Sequence, residues 1–274
     1  MDRTEANRRI AETNAVIFQT GQYEKEGVLH FLQLSQKARQ TALVFLPDAA
    51  ECLRNEQGAK RGGLPAAAEV VEGDTMDHAA SLVLNFASAL HPGGGYLTGS
   101  PAQEECLCRE STLYESLTSE EAAPFYAYHA AHLLPADSNA MVLSPFVEIF
   151  RQSGRSGYEY LSKTRTTAVI TAAAPDLFGR GALLSQEEID RAMMERIESI
   201  LALASAFGYR TITLGAWGCG VFGHDARRVS SYFHDALFHK KWATLFDHIT
   251  FAICDPPEKG QYNLRAFQHQ FENG

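Results

Sequence analysis

The chain has few cysteines, no long apolar segment and no concentration of basic residues. Its five cysteines are an odd number spread through 274 residues, which favours reduced thiols in a cytosol-like compartment over a disulfide framework. No apolar run approaches the roughly 18 residues that a membrane-spanning helix requires. The charged start, residues 1–6, is unlike a signal peptide. We therefore expect a soluble cytoplasmic protein without membrane contacts.

Two further absences concern zinc-binding and nucleotide-binding motifs. Cys106 and Cys108 are separated by a single residue, which is not a zinc-binding spacing, and no suitably placed Cys/His pair completes a site. The chain also lacks the Lys-Ser/Thr ending of a P-loop and the glycine spacing of a dinucleotide-binding fold. We expect no metal and no cofactor. The net charge of −9, from 33 acidic and 24 basic residues, predicts no direct binding of nucleic acid.

Short apolar runs alternate with helical patterns along most of the chain. The first forty residues indicate amphipathic helix. The run at 42–46 predicts a buried strand that ends at Pro47, and a surface loop is expected after it. Further strands are predicted at 69–72, 82–86, 141–143, 168–172, 211–214 and 249–253, and further helices at 100–116, 119–133, 186–207 and 225–239. Strands that are apolar on both sides and separated by helices indicate a sheet covered on both faces. This predicts one α/β/α domain with an N-terminal extension.

A triple glycine follows the predicted strand 82–86 and precedes two adjacent carboxylates. Gly93, Gly94 and Gly95 stand where open α/β sheets bind ligands, beyond the carboxyl ends of strands. Because glycine has no Cβ, these N–H groups would approach a diphosphate closely, or the backbone would pass under a ribose. The structural alternative is a tight turn that needs positive φ angles.

Residues 103–105 read Gln-Glu-Glu. Two neighbouring acids in a partly buried site repel each other, which raises one pKa toward the range useful for a general acid. Such a group supplies the acid needed to break a bond to a sugar. The alternative is a solvated helix face. A second Gln-Glu-Glu at 186–188 has a structural interpretation, because Ser185 and Glu188 have the spacing of a capping box.

A second glycine-rich loop, residues 215–223, precedes a predicted helix whose positive end suits an anion. Phe222 would pack against a ribose or base, or belong to the core. Asp74 would accept a hydrogen bond from an exocyclic amine such as that of adenine, or act as a helix N-cap. Asn85 would bind a ribose hydroxyl or cap the backbone. Backbone N–H groups that bind a diphosphate, together with an acid that breaks a bond to a sugar, predict an enzyme acting on an ADP-ribose-like ligand.

With these motifs the chain resembles the bacterial-type poly(ADP-ribose) glycohydrolases, a branch of the macrodomain superfamily. The signature of that family is a triple glycine followed six to eight residues later by Gln-Glu-Glu. Residues 93–105 match it with a gap of seven. Further matching segments are residues 84–89, 107–114, 144–147, 173–175 and 218–222. Together they are far more specific than any single motif.

The resemblance implies a macrodomain-like three-layer α/β/α sandwich with a central mixed β-sheet and an N-terminal helical extension. Residues 1–65 would pack on a catalytic unit formed by residues 66–274. The implied activity is hydrolysis of ribose–ribose or ribose–protein O-glycosidic bonds in poly- or mono-ADP-ribose, with ADP-ribosylated proteins as substrates. The alternatives are a non-catalytic ADP-ribose-binding macrodomain and a hydrolase of a related ADP-ribose derivative.

The resemblance also implies roles for individual positions. Glu105 would be the catalytic acid, and Glu104 would hold the ribose beside the scissile bond. Asp74 would contact adenine. The remaining implied ligand contacts are Asn85, Gly93, Gly94, Gly95 and Gln103 on one side, and Gly218, Cys219, Gly220, Val221 and Phe222 in a second diphosphate loop.

Overall fold

A mixed seven-stranded β-sheet organises the computed structural model, which describes residues 2–132, 139–178, 180–255 and 260–272. The helices are α1 (Arg3–Thr20), α2 (Gln36–Arg39), α3 (Pro47–Gly58), α4 (Gln103–Glu110), α5 (Leu113–Leu117), α6 (Ala123–Ala131), α7 (Gln186–Ala206), α8 (Ala226–His234) and α9 (Tyr262–Glu272). The strands are β1 (Gln22–Lys25), β2 (Val28–Phe31), β3 (Leu43–Phe45), β4 (Ala68–Glu72), β5 (Leu82–Phe86), β6 (Met141–Arg151), β7 (Tyr160–Ala172), β8 (Thr211–Leu214) and β9 (His248–Ile253).

The strand order in the sheet is β3-β6-β7-β5-β8-β9-β4. Strands β7, β5, β8, β9 and β4 are parallel, whereas β6 runs antiparallel to both β3 and β7. The central strand β5 pairs with β7 and β8, with Leu82 opposite Ala168 on one side and Ile212 on the other. The carboxyl ends of β7, β5 and β8 therefore lie at the same edge, which is where ligands bind in parallel sheets.

Helices cover both faces of the sheet. Leu82 and Leu84 of β5 belong to a core that includes α3, α7, α8 and α9. Val83 points to the opposite face and packs in a second core with α1, α4 and α5. Because side chains alternate along a strand, Asn85 shares its face with Val83. The predicted three-layer α/β/α fold with a mixed sheet is confirmed.

Every predicted strand is present, but two are much longer than their apolar runs. The run at 141–143 is only the start of β6, and the run at 168–172 is only the end of β7. The predicted helix at 186–207 corresponds to α7, and its capping box between Ser185 and Glu188 is confirmed. Thus the central strands and the helix with a local capping signal were predictable from sequence.

The sequence pattern had predicted helix over the first forty residues, but only part of this segment is helical. A hairpin of β1 and β2 follows α1, because Gly21 and Gly27 adopt positive φ angles of 69° and 77°. Tyr23 of the hairpin stacks between His30 and Tyr160. Packing of that ring against β7 favours a hairpin over helix continuation.

The segment before residue 65 contributes directly to the sheet. Strand β3 pairs with β6, matching Leu43 with Leu143, and α3 packs against α7. The predicted division of the chain at residue 65 stays a prediction. Within the described residues, no helix is both long and apolar enough to span a bilayer.

Candidate active site

The start of α4 is held against the end of β5 by one side chain. Gln103 Oε1 accepts a hydrogen bond from Phe86 N at 2.9 Å. Its Nε2 donates to Leu84 O at 2.9 Å and to Thr75 Oγ1 at 3.2 Å. Gln103 therefore fixes α4 relative to the sheet edge. Contact of Gln103 with a ligand stays a prediction.

Glu104 is held in a buried, polar pocket beside β5. Its Oε1 accepts from Asn85 Nδ2 at 3.1 Å and its Oε2 accepts from Ser88 N at 2.8 Å. The residue is only 3% exposed, and this burial is the main cause that raises the pKa of Glu104 to about 8. The charge of Glu105 adds a smaller increase. Glu104 is therefore largely protonated at neutral pH, as expected of one acid in this pair.

Asn85 owes its orientation to the neighbouring strand as well as to Glu104. Its Nδ2 also donates to Thr171 Oγ1 at 3.1 Å, near the end of β7. Its Oδ1 is buried without a hydrogen-bond partner among the described residues. The structure thus brings Asn85 to the acids, and binding of a ribose hydroxyl by Asn85 stays a prediction.

Glu105 has one fixed oxygen and one unpartnered oxygen. Its Oε1 accepts from Gly95 N at 2.7 Å. Its Oε2 is buried and has no hydrogen-bond partner in the described part of the chain. A hydrogen bond on one oxygen fixes the carboxyl group, and the other oxygen keeps its capacity to exchange a proton with a substrate.

The triple glycine surrounds these two carboxyl groups. Gly94 has a φ angle of 56°, and a Cβ at this position would lie 2.5 Å from Glu105 Oε1 and 3.1 Å from Glu104 Oε2. Both acids therefore face Gly94, at a point where only glycine fits.

The N–H groups of this loop are already engaged inside the protein. Gly94 N donates to His91 O at 2.9 Å, and Gly95 N donates to Glu105. The N–H of Gly93 donates to Glu104, which offsets a small part of the rise in its pKa. This arrangement does not support the interpretation of the triple glycine as a phosphate cradle. The loop positions the acids instead, and its contact with a ribose stays a prediction.

The second glycine-rich loop is anchored by Trp217. This side chain is buried, and its Nε1 donates to Ala172 O at 3.0 Å, at the end of β7. Gly218 has a φ angle of 81°, and a Cβ there would lie 2.8 Å from His224 Cδ2. Leu177 N donates to Phe222 O at 3.1 Å. These contacts place the loop beside the carboxyl ends of β7 and β8.

The second loop also carries backbone donors. Among the described residues, no acceptor is present for the N–H groups of Gly220, Val221 and Phe222. Gly220 and Val221 are exposed, whereas Cys219 is buried. The N-terminus of α8 is already capped, because Asp225 Oδ1 accepts from Arg227 N and Arg228 N. The free backbone donors are those of the loop, and binding of a diphosphate by residues 218–222 stays a prediction.

Asp74 lies beside α4. Its Oδ1 accepts from Met76 N at 2.9 Å, and no helix follows it before β5, so it does not act as an N-cap. Ligand atoms of Asp74, Cys106 and Glu110 lie within 4.8 Å of one another. Burial raises the pKa of both Asp74 and Glu110. A contact between Asp74 and adenine stays a prediction.

Three residues at the site lay outside the sequence-based selection. Ser88 supplies a backbone N–H to Glu104, Thr171 binds Asn85, and the fully buried Glu110 lies beside Asp74. Only Thr171 had a recognisable signal, as the single polar residue in an apolar run at the end of a strand. Backbone donors such as Ser88 N carry no residue-specific signal.

Comparison with known proteins confirms the family resemblance found in the sequence. The family model described as "Microbial-type PARG, catalytic domain" matches residues 11–152, a range that includes α4 and both acids. A search of curated protein sequences gave no significant match.

Solved structures resemble nearly the whole chain. The poly(ADP-ribose) glycohydrolase from Thermomonospora curvata is 33% identical, with a TM-score of 0.88, and the alignment covers 97% of this chain and 100% of that one. The same protein bound to the inhibitor ADP-HPD has a TM-score of 0.86 at 33% identity and the same coverage. The poly(ADP-ribose) glycohydrolase from Deinococcus radiodurans in complex with ADP-ribose is 33% identical, with a TM-score of 0.76, covering 86% of this chain and 96% of that one.

Proposed function

Because this chain belongs to the microbial-type poly(ADP-ribose) glycohydrolase family and is thus a glycosidase, we propose that it releases ADP-ribose at the site around Gly94. The observation that carries the proposal is the pair of buried carboxyl groups there. Glu104 holds a proton at neutral pH, and Glu105 keeps one unpartnered oxygen. A non-catalytic ADP-ribose-binding protein has no need of such a pair.

The reaction follows from the roles of the two acids. Protonated Glu105 donates through Oε2 to the ribose oxygen that leaves, and the bond from that oxygen to the anomeric carbon breaks. Water adds to the resulting oxocarbenium-like carbon and gives a proton back to the Glu105 carboxylate. Glu104, oriented by Asn85 and Ser88, positions the ribose.

The diphosphate is assigned to the second loop. Three successive N–H groups at Gly220, Val221 and Phe222 have no acceptor among the described residues, and successive backbone donors suit a phosphate oxygen. In a protein of net charge −9, local backbone dipoles supply the attraction that the overall field lacks. Phe222 then packs against the adjoining ribose, and Asp74 accepts a hydrogen bond from the adenine amine.

The ligands of the related structures support this choice of substrate. The relative from Thermomonospora curvata binds ADP-HPD, and the relative from Deinococcus radiodurans binds ADP-ribose. We extend this to poly(ADP-ribose) and to ADP-ribosylated proteins as substrates. Neither step assigned to the acids requires a metal or a redox cofactor.

The test compares ADP-ribose release by the parent protein and by Glu105→Gln. We expect release from poly(ADP-ribose) by the parent, and a loss of at least about 100-fold in the variant, with ADP-ribose binding retained in calorimetry. Glu188→Gln is the matched control, since it alters the other Gln-Glu-Glu copy at the capped start of α7. Binding without release by the parent would establish a reader in place of a hydrolase.

A further inference from the structure

A cluster of two imidazoles and one carboxylate lies at the end of α8. The helix passes into a π-helical turn, Asp235–His239, in which Lys240 N donates to Asp235 O at 2.8 Å. The wider turn brings residues five apart to the same side, whereas an ordinary α-helix separates them. His234 and His239 consequently meet, with their ring centroids 5.5 Å apart and their planes at 80°.

Asp235 completes the group. His239 Nδ1 lies 2.8 Å from Asp235 Oδ1, and one ligand atom from each of His234, Asp235 and His239 lies within 4.8 Å of the others. Ligand atoms around a tetrahedral zinc ion are roughly 3.5 Å apart. The side chain of His239 is 73% exposed, so a rotamer change can close the remaining gap without disturbing the core.

The surroundings restrict His234 and leave the carboxylate available. The ring of His234 packs on Phe238 and Phe271, with centroid distances of 5.0 and 5.8 Å. The neighbouring cation, Lys240, forms an ion pair with Glu198. An oriented imidazole loses less freedom when it binds a ligand, and a neutralised lysine repels a cation less.

We propose that His234, Asp235 and His239 bind a zinc ion through two imidazole nitrogens and one carboxylate oxygen, with water as the fourth ligand. Imidazole and carboxylate are the donors that suit this borderline ion.

This zinc site is separate from the glycosidase site. The glycine-rich loop 215–223 precedes α8, whereas the zinc site lies at the other end of that helix. Nine helical residues span about 13 Å. The expectation of no metal rested on cysteine spacing, and a His/Asp cluster formed across a π-helical turn has no such spacing signal. The inference does not depend on the proposed function.

The experiment uses the full chain, stripped with a chelator and then titrated with zinc by equilibrium dialysis. We expect one zinc ion per chain for the parent and more than a tenfold loss of affinity for His239→Ala and for Asp235→Asn. Cobalt as a spectroscopic probe should give the intense visible absorption of a four-coordinate ion. His239 is exposed, so the metal-free variant should melt at the same temperature as the metal-free parent.

The chain contains a matched control. His248 Nε2 lies 2.8 Å from Glu69 Oε1, an exposed histidine–carboxylate contact that belongs to no three-ligand group among the described residues. His248→Ala should bind zinc as the parent does. The proposal is overturned if the parent binds no stoichiometric zinc, or if His248→Ala loses as much affinity as His239→Ala.

Discussion

Gly94 and Glu105 are in such close contact that a methyl group on Gly94 would lie 2.5 Å from Glu105 Oε1. The same group would lie 3.1 Å from Glu104 Oε2. The glycine therefore fills a steric role at the centre of the acid pair. A second reason for glycine at this position is its φ angle of 56°, which is disfavoured for other residues.

Gly94→Ala should inactivate the enzyme by displacing the acids. Moving a catalytic group by about 1 Å costs on the order of 100-fold in rate, and we expect at least this loss in kcat for ADP-ribose release. Gly62→Ala is the control, since a Cβ on Gly62 meets nothing within 4 Å and its φ is not positive. An active Gly94→Ala enzyme would show that the carboxyl groups tolerate displacement.

The raised pKa of Glu104 makes protein stability depend on pH. The unfolded chain releases this proton near 4.5, whereas the folded protein retains it up to about pH 8. Because the folded state binds more protons in this window, the free energy of unfolding falls as pH rises, by up to about 1.4 kcal/mol per pH unit. The stabilisation is complete below pH 4.5 and is lost as pH passes 8.

Glu104→Gln should reduce this slope by up to about 1.4 kcal/mol per pH unit, because the amide does not titrate, while the other buried acids with raised pKa, such as Asp74 and Glu110, still contribute. Urea unfolding at several pH values between 4.5 and 8 measures the slope for parent and variant. The exposed Glu187, changed to Gln, is the control and should keep the parental slope. Equal slopes for all three proteins would mean that Glu104 is ionised throughout this range.

Gln103 should prove to be a positioning residue. In Gln103→Glu the carboxylate still accepts from Phe86 N, but the two hydrogen bonds to Leu84 O and Thr75 Oγ1 lose their donor. We expect kcat to fall about 10-fold or more through the shift of α4, with a smaller change in KM. Gln103→Leu, which removes the acceptor too, should be less stable by about 1–3 kcal/mol. A larger effect on KM than on kcat would instead indicate ligand contact.

Arg39 ties the N-terminal segment to α5. It forms a buried ion pair with Glu115, and it donates to Leu34 O and Phe18 O at 2.7 and 2.9 Å. Arg39→Met leaves the carboxylate buried without a partner, so the protein should lose about 3–5 kcal/mol of stability. Arg210→Met, at the exposed pair with Asp247, should leave the melting temperature nearly unchanged. Similar melting temperatures for both variants would contradict this.

Local signals in the sequence predicted the elements that frame the site. The apolar run of β5, the run of β8 and the capping box at Ser185 each depend on neighbouring residues alone. In contrast, Pro47 was interpreted as the end of a strand and a loop was expected after it, whereas it begins α3. Proline favours the first turn of a helix as well as a loop.

Contacts between distant residues could not be predicted in the same way. The triple glycine suggested free N–H donors, but the acceptor of Gly95 N is a side chain ten residues away. The hairpin of β1 and β2 depends on the ring of Tyr23 meeting Tyr160, far along the chain. The family signature located the acids, while their protonation and partners required the folded structure.

Strand β3 sets a limit on how far this enzyme can be shortened. This strand belongs to the segment before residue 65 and pairs with β6, whose backbone would otherwise form an edge of the sheet. A chain beginning at residue 66 would expose the main-chain donors and acceptors of Val142 and its neighbours, and such unprotected margins recruit strands from other molecules. Removing the first 65 residues would therefore produce aggregates, even though both acids and both glycine-rich loops would remain.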